Sequence, residues 1–271
     1  MTSAREPSWP AYREVEVLRV RDGQGLPQHD KLAEETPVAL EFNGISHATM
    51  LATPADLEDF ALGFALSEGI VATASEVRGI DLDPRADGIV VQVEIATARE
   101  VGLKERRRAM AGRTGCGLCG VETLPEVLRP VAPVAPGPDL SLAALLQAMR
   151  ALRGQQRLHD LTGATHAAGW ADATGTLRLS REDVGRHNAL DKLIGALARA
   201  GLPAALGMAV VSSRASFEMV QKTASAGIPV LAAVSAPTAL ACRLADQAGL
   251  TLAGFVREAN ATLYTHPGRL R

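Results

Sequence analysis

The feature that most restricts the fold is a regular alternation of apolar strands and helices towards the end of the chain. Leu206–Val211, Ile228–Val234 and Leu250–Val256 are continuous apolar runs of strand length. The segments between them, Ser216–Ala226 and Thr238–Ala248, have helical patterns. Strands that are apolar along their whole length are typical of a parallel sheet buried on both faces. The sequence therefore predicts an α/β domain in which helices cover both faces of such a sheet.

The preceding residues predict further elements of this domain. In order, these are an Ala- and Leu-rich helix from Leu140 to about Arg153, a strand at Ala164–Trp170, a turn at Asp172–Gly175, a strand at Thr176–Ser180 and a helix at His187–Ala200. The helix at His187–Ala200 is indicated by apolar residues that recur at helical spacing.

The first half of the chain lacks this regular alternation. Strand patterns occupy residues 13–20, Val38–Phe42, Ile45–Leu51 and Ile89–Ile95. The first of these alternates polar and apolar residues and predicts a half-buried strand, and Asn43-Gly44 predicts a two-residue hairpin turn. Thr53, followed by Pro54, predicts a capped helix start, and this helix should end near Gly69. We therefore expect a smaller α+β domain.

A proline-rich segment separates the two regions. Between Arg129 and Asp139 the chain has prolines at positions 130, 133, 136 and 138, which break regular structure. We place an N-terminal α+β domain at residues 1–130 and an α/β domain at residues 139–271.

Composition limits the possible functions. Of the 271 residues 47% are hydrophobic, which is enough for a packed core, and the formal net charge is −2, so we expect no binding to nucleic acid. The 3 cysteines do not resemble the disulfide framework of a small secreted protein. The sequence has no signal-peptide pattern and no apolar run of the roughly 18 residues that span a membrane. We expect a cytoplasmic protein that does not bind membranes.

The predicted topology indicates where a ligand would bind. In open α/β sheets, ligands lie beyond the carboxyl ends of the strands. Those ends are followed here by Ser212–Ser216, Ser235–Thr238 and Arg257–Asn260, which supply hydroxyl and guanidinium groups. The first two segments lead into helix N-termini, which favour anions. We therefore predict a phosphorylated ligand at this edge.

Two cysteines, Cys116 and Cys119, form a C-x-x-C motif within a glycine-rich stretch. Gly115 and Gly117 flank Cys116, so the thiol has few neighbouring side chains to bury it. The spacing allows half of a zinc site, a redox dithiol or a nucleophilic thiol.

The rest of the sequence favours the nucleophilic thiol. There is no second C-x-x-C motif and no H-x3–5-H pair, and Cys242 falls in a predicted apolar helix, where a core position is favoured. The motif also follows a basic stretch and not a strand, unlike a thioredoxin-type motif. Nearby arginines would favour the thiolate; these are Arg106, Arg107, Arg108 and Arg113.

A second polar concentration lies at Arg181–Lys192. We expect Asp191 and Lys192 to form surface ion pairs on a helix. The other polar side chains combine acid, base and amide groups, and indicate ligand positioning or proton transfer; they are Glu182, Asp183, Arg186, His187 and Asn188. His166 either faces the same site or is hydrogen-bonded within the core.

Several stretches together resemble the formate dehydrogenase accessory sulfurtransferases (FdhD), over about Glu35 to Tyr264. They are Arg113–Gly120, Gly163–Ala168, Arg181–Lys192, Ser216–Lys222 and Gly227–Thr238. The resemblance implies that a cysteine desulfurase supplies sulfur as a cysteine persulfide. It also implies delivery of this sulfur to a molybdenum bis(pterin guanine dinucleotide) cofactor, a bound substrate, before that cofactor enters formate dehydrogenase.

The resemblance also assigns roles to residues. It implies that Cys116 carries the persulfide, that Cys119 assists and that the protein holds no permanent metal. It places cofactor binding at the strand end reached above from topology, and it implies a cytidine-deaminase-like, three-layer α/β/α second domain. The predicted cofactor-binding residues are Phe255, Val256, Arg257, Glu258, Ala259 and Asn260, with Ser212, Arg214, Ser235, Arg186 and His187. We further expect a homodimer.

Two other functions can be weighed against this one. Zinc deaminases carry an H-x-E and a P-C-x-x-C signature; no histidine here is followed two residues later by glutamate, and Gly115 precedes Cys116. Deamination is therefore not expected. The alternative that stays open is a zinc-stabilised nucleotide-binding module without covalent chemistry.

Overall fold

The computed structural model describes residues 9–99 and 131–271. Within these residues the chain forms a two-stranded ribbon, a four-stranded sheet with one helix, and a six-stranded sheet between helices. The predicted α/β class is confirmed. The predicted domain limits at residues 130 and 139 remain a prediction.

The ribbon consists of β1 (Tyr12–Arg21) and β2 (Gln24–Ala33), which pair in antiparallel orientation. The strand predicted at residues 13–20 is confirmed, and its predicted half-burial holds for Val15 and Val17 but not for Leu18 and Val20. The outer part of the ribbon is exposed, and Leu18 retains 66% of its accessible surface, because within residues 9–99 and 131–271 no further strand pairs with the ribbon. Strand β2 was not predicted, although Asp22-Gly23 is a typical hairpin turn and both residues have positive φ.

The four-stranded sheet has the order β4-β3-β6-β5. Its strands are β3 (Thr36–Phe42), β4 (Ile45–Ala52), β5 (Val77–Arg85) and β6 (Gly88–Ile95). Asn43 and Gly44 form the predicted turn, each with positive φ. Helix α1 (Leu57–Ser67) covers one face, where Phe42 and Phe60 are fully buried.

Helix α1 begins later than predicted. Asp56, and not Thr53, is the residue before the first turn, and it has a left-handed φ of 54°. Thr53 is instead fully buried, and its N–H, carbonyl and hydroxyl groups all bond to the second half of the chain. The predicted end near Gly69 is confirmed.

The six-stranded sheet has the order β12-β11-β10-β9-β7-β8. Its strands are β7 (His166–Asp172), β8 (Leu177–Asp183), β9 (Gly207–Val211), β10 (Val230–Ala233), β11 (Thr251–Arg257) and β12 (Asn260–Thr265). The predicted parallel pairing is confirmed for β9, β10 and β11. The other three strands pair in antiparallel orientation, because two hairpins extend the parallel centre.

Helices cover this sheet on both faces. They are α2 (Leu142–Arg153), α3 (Arg157–Thr162), α4 (Arg186–Arg199), α5 (Phe217–Ser225) and α6 (Ala239–Gln247). One apolar cluster joins the sheet to α4, α5 and α6, and another joins its opposite face to α2. The three-layer arrangement expected for the second half is therefore present; the short helix α3 and strand β12 were not predicted.

Helices α1 and α4 cross at two glycines, and this crossing joins the two sheets. A Cβ atom on Gly63 would overlap the carbonyl oxygen of Asp191, and one on Gly195 would overlap the carbonyl oxygen of Asp59. The two backbones can approach this closely only because neither glycine has a side chain. Among the residues that the structure describes, no helix is long and apolar enough to cross a membrane.

Candidate functional site

One edge of the six-stranded sheet collects polar residues from several elements. The parallel strands β9, β10 and β11 all end there, and β7, which is antiparallel to β9, begins there with His166. Asp183, at the end of β8, pairs in register with His166. The predicted strand-end segments therefore lie at one edge together with the charged block that follows β8.

Hydrogen bonds fix the segments after β9 and β10. Ser212 exchanges two bonds with Ala167, since its N–H donates to the Ala167 carbonyl (2.9 Å) and its Oγ accepts from the Ala167 N–H (2.8 Å). Thr238 N–H donates to the Ala215 carbonyl at 3.1 Å. Arg214 is exposed and Ser235 half-buried. Both segments lead into helices, α5 and α6, as predicted.

The end of β11 and the turn into β12 form a hairpin tip at this edge. Phe255 adopts a left-handed φ of 52°, which is uncommon for a bulky residue, and its ring is 38% exposed. Its N–H donates to the Ser235 carbonyl at 3.3 Å, so the tip is tied to the segment after β10. The Arg257 guanidinium lies 6.0 Å from the centre of the Phe255 ring.

The other predicted residues of the tip are placed differently. Val256 is fully buried in the core beside α2, so its side chain cannot contact a ligand at the surface. Glu258, Ala259 and Asn260 are exposed, and Glu258 has a positive φ of 56°.

Asp183 and Lys192 form a buried ion pair at the contact between the two halves. Lys192 Nζ lies 2.6 Å from Asp183 Oδ2, and both side chains are completely buried. Asp183 also accepts the Thr53 N–H at 3.0 Å, and Lys192 donates to the Thr53 carbonyl at 2.8 Å. The expectation that Lys192 pairs on the surface is therefore wrong, because its partners Asp183 and Thr53 lie in the buried contact between the two halves of the chain. Asn188 has a similar structural role, since its amide donates to the Leu51 carbonyl (2.8 Å) and to Asp183 (3.0 Å).

Asp191 is likewise buried and not at the surface. The Lys222 ammonium lies within hydrogen-bond distance of both its oxygens (3.0 and 2.9 Å), and Ser67 Oγ donates to it at 2.6 Å. Lys222 also contacts Glu68 at 2.8 Å. Burial alone would lower the pKa of Lys222, but the charges of Asp191 and Glu68 outweigh burial and raise it. This lysine therefore remains a cation that ties α4 and α5 to the end of α1.

A third ion-pair cluster is centred on Asp59 in α1. Arg181 donates to Asp59 Oδ2 from Nε (2.9 Å) and Nη2 (2.6 Å), and Arg199 donates to Oδ1 at 2.9 Å. Much of the charge in the Arg181–Lys192 block therefore serves the contact with α1 and not a ligand.

Glu182 organises helix α3. Its carboxylate accepts the N–H groups of Leu158 (2.8 Å) and His159 (2.9 Å), which are unpaired donors at a helix start, and the Thr165 hydroxyl at 3.1 Å. We therefore no longer expect Glu182 to position a ligand.

Four polar side chains at the edge take no part in the ion pairs and helix contacts described above and could contact a ligand. They are Arg186, His187, Glu218 and His166. His187 Nε2 lies 2.7 Å from Glu218 Oε2, a contact that falls short of a well-aligned hydrogen bond. Burial would raise the pKa of Glu218, but His187, Arg186 and Lys222 outweigh it and lower the pKa, so the carboxylate is ionised. Burial lowers the pKa of His166, and the charges of Arg186, His159 and His187 lower it further, against the opposing charge of Asp183. His166 is therefore neutral near pH 7.

The predicted sulfur-handling residues lie elsewhere in the chain. Cys116 and Cys119 lie outside the described residues, as do Arg106, Arg107, Arg108 and Arg113. Cys242 is half-buried against the core, and burial raises the pKa of its thiol, which disfavours the reactive thiolate. In residues 9–99 and 131–271, no group of three or more His, Cys, Asp or Glu side chains is placed to hold a metal ion.

Two important members of this region, Glu218 and Thr53, were not predicted. Glu218 lies within the Ser216–Lys222 stretch of resemblance, and an acid in the first turn of a helix beside the predicted edge is a detectable signal. Thr53 was interpreted as a helix cap, and no local pattern could have revealed its partners, which lie about 130 residues away in the sequence.

Comparison with known proteins gives consistent matches over nearly the whole chain. The profile of the FdhD/NarQ family matches residues 33–271. A protein of Bordetella bronchiseptica named "Sulfur carrier protein FdhD" is 71% identical over 264 residues, which are 97% of this chain and 96% of the relative. Proteins of the same name from Cupriavidus necator and Variovorax paradoxus are 57% and 56% identical; each match covers 97% of this chain, and 91% and 95% of the respective relative.

A solved structure agrees with these sequence matches. The crystal structure of a Desulfotalea psychrophila protein, described as a formate dehydrogenase accessory protein, superimposes with a TM-score of 0.77. The two chains are 25% identical, and the match covers 97% of this chain and 100% of the other. Both the sequence and the fold therefore agree with the resemblance, and the chain belongs to the FdhD/NarQ family.

Proposed function

We propose that this protein carries sulfur as a persulfide on Cys116 and delivers it to a molybdenum bis(pterin guanine dinucleotide) cofactor destined for a formate dehydrogenase. The observation that carries the proposal is membership of the FdhD/NarQ family over residues 33–271. Relatives of high identity are named sulfur carriers, and the structural relative is described as a formate dehydrogenase accessory protein.

The loading step is a persulfide exchange. The Cys116 thiolate attacks the outer sulfur of a persulfide on a cysteine desulfurase, and a new sulfur–sulfur bond forms as the donor's own bond breaks. The donor cysteine leaves as a thiolate, so atoms and charge balance without an added oxidant or reductant. The nearby arginines in the sequence favour the attacking thiolate, and Cys119 is the neighbouring thiol that assists.

The cofactor is proposed to bind at the polar edge of the six-stranded sheet. The exposed Phe255 ring offers a face on which a guanine can stack, and the Arg257 side chain lies beside it. The start of α5 supplies further N–H groups towards the same edge. The sulfur-carrying Cys116 and the proposed cofactor site thus belong to one chain. We also propose that the protein works as a cytoplasmic homodimer.

Mass spectrometry tests the loading step directly. The purified protein is incubated with a cysteine desulfurase and cysteine, and the peptide that contains Cys116 is analysed without reduction. We expect one added sulfur atom on this peptide and none on the Cys242 peptide of the same sample. A Cys116 peptide that never gains sulfur would contradict the proposal.

Complementation tests the whole function. The variant Cys116→Ala should fail to restore formate dehydrogenase activity in a host that lacks its own copy, whereas Cys242→Ala should restore it. Full restoration by Cys116→Ala would favour a module without covalent chemistry. Stoichiometric zinc that is lost on replacement of Cys116 or Cys119 would support the zinc-stabilised alternative.

A further inference from the structure

The ribbon of β1 and β2 exposes a large share of the apolar side chains at the surface. Of the 11 large hydrophobic side chains that are exposed in the described part of the chain, 4 belong to these two strands; they are Leu18, Val20, Leu26 and Leu32. A single exposed leucine needs no explanation, but several apolar side chains on one element are typical of a surface that binds another protein. The ribbon is therefore a candidate for an interaction surface.

The register of the ribbon brings apolar groups together near its turn. Leu18 lies opposite Pro27, and Val20 lies opposite Gly25. Residues that face each other in an antiparallel pair have their side chains on the same face of the ribbon. The Leu18 side chain lies over Gly25, since a Cβ atom added at Gly25 would be 3.0 Å from it. Leu18, Val20 and Pro27 therefore share one apolar face.

Helix α3 connects this ribbon to the polar edge of the six-stranded sheet. Strand β2 lies against α3, and Leu161 of α3 is 43% exposed. Glu182, next to the last residue of β8, accepts the N–H groups at the start of α3. The end of β8 and the start of β7 lie at the edge where β9, β10 and β11 end. Helix α3 therefore lies at this edge, with the ribbon beside it.

The charges of the ribbon are balanced and partly paired within it. Residues 12–33 carry four Arg or Lys and four Asp or Glu side chains. Arg19 lies 3.4 Å from Asp30, and Lys31 lies 3.6 Å from Glu14. A surface without net charge does not attract nucleic acid or an anionic membrane. The ribbon therefore fits a protein partner that binds it through apolar contacts.

The position of this surface indicates which protein binds there. The cofactor is proposed to bind at the polar edge, with Phe255 of β11 towards one end of it. Helix α3 lies beside β8, which is four strand spacings, or about 20 Å, from β11. A protein that takes the cofactor from this edge must approach it closely. The ribbon and α3 offer an apolar contact area beside the edge that leaves Phe255 uncovered.

We propose that Leu18, Val20, Leu26 and Leu161 form a docking surface for the formate dehydrogenase apoprotein that receives the cofactor. The inference rests on the proposed function for the identity of this partner. Docking there holds the acceptor beside the edge that carries the cofactor, which raises the local concentration of the acceptor. The cofactor then passes between two bound proteins and not through solvent.

Biolayer interferometry with immobilised formate dehydrogenase apoprotein tests the docking surface. Leu18→Ser and Leu161→Ser each remove an exposed apolar side chain without adding charge, and each should weaken association at least about tenfold. Leu206→Ser is the matched control, because Leu206 is 55% exposed but precedes β9 at the opposite edge of the sheet; it should bind the apoprotein like the wild type. Equal affinities of the wild type and both variants would overturn the proposal. If one variant does not fold, the other decides.

Light scattering on the same proteins separates the acceptor from a second copy of this chain. The variants should have the same mass in solution as the wild type. A dimeric wild type that becomes monomeric on Leu18→Ser or Leu161→Ser would overturn the proposal, because the surface would then join two copies.

Sulfur loading on Cys116 distinguishes this proposal from the proposed function. Both variants should load sulfur like the wild type, because they are expected to lose only the contact with the acceptor. A wild type that loads sulfur but does not bind the apoprotein overturns the docking surface. A wild type that binds the apoprotein through this surface but never loads sulfur overturns only the proposed function.

Discussion

Lys192 and Asp183 form an ion pair of 2.6 Å in which both side chains are completely buried. The pair lies where α4 meets the end of β4, and both partners also bond to the backbone of Thr53. It therefore joins the two sheets through hydrogen bonds as well as through charge.

Replacing Lys192 by methionine should lower the free energy of unfolding by about 3–5 kcal/mol, because Asp183 would keep a buried charge without its partner. Urea denaturation measures the change. Lys31→Met is the control: its partner Glu14 is 3.6 Å away, the side chains of Lys31 and Glu14 are 35% and 61% exposed, and the loss should stay below about 1 kcal/mol. Similar losses for the two variants would show that the buried pair contributes little.

Gly195→Ala should destabilise the protein by at least about 2 kcal/mol, since the new methyl group would overlap the backbone of Asp59 where α1 crosses α4. Thermal denaturation followed by circular dichroism is a suitable measurement. Gly79→Ala provides the comparison, because that position has no atom within 4 Å of an added Cβ and no positive φ. Equal stability of Gly195→Ala and wild type would contradict the prediction, because it would mean that α1 and α4 can move apart without loss of free energy of unfolding.

Phe255→Ala should weaken binding of guanosine by about 1–3 kcal/mol, because the exposed ring would no longer stack on the base. Calorimetry measures the affinity, and the free energy of unfolding should change little, since the ring is 38% exposed. Tyr12→Ala removes an aromatic ring from the ribbon and should have no effect on guanosine. Unchanged guanosine affinity in Phe255→Ala would argue against stacking at the hairpin tip.

His166 should make stability depend on pH. Its pKa in the folded protein is below the ordinary value of 6.5, so the unfolded chain binds more protons as the solution becomes acidic. Stability is therefore lost as pH falls from about 6.5. His166→Gln should lose less stability than the wild type between about pH 7 and about pH 5, as measured by denaturation at each pH. A larger loss of stability in the variant would contradict the prediction that folding lowers the pKa of His166.

Most elements of the six-stranded sheet could be predicted because they follow local patterns. The apolar runs that form β9, β10 and β11 are continuous and of strand length, and they alternate with helical patterns. This combination predicts parallel strands, so their carboxyl ends could be assigned to one edge of the sheet. Strand β12 (Asn260–Thr265) was missed because the tip before it lacks a common turn motif, although exposed and buried residues alternate along it as they do in a half-buried strand.

The sequence by itself determined the alternation of β9, β10 and β11 with helices, the edge at which their polar ends meet and the resemblance to the family. Periodicity and motifs are local properties, so they can be found without a fold. Only the tertiary structure decided that Asp191, Lys192 and Lys222 are buried and that the Arg186 Nε atom has no hydrogen-bond partner among the residues that the structure describes. The burial and pairing of a charged side chain depend on groups far away in the sequence, as the hydrogen bond between Thr53 and Asp183 illustrates. A charged residue is stable inside the protein only when packing brings an opposite charge or a hydrogen-bonding group to it.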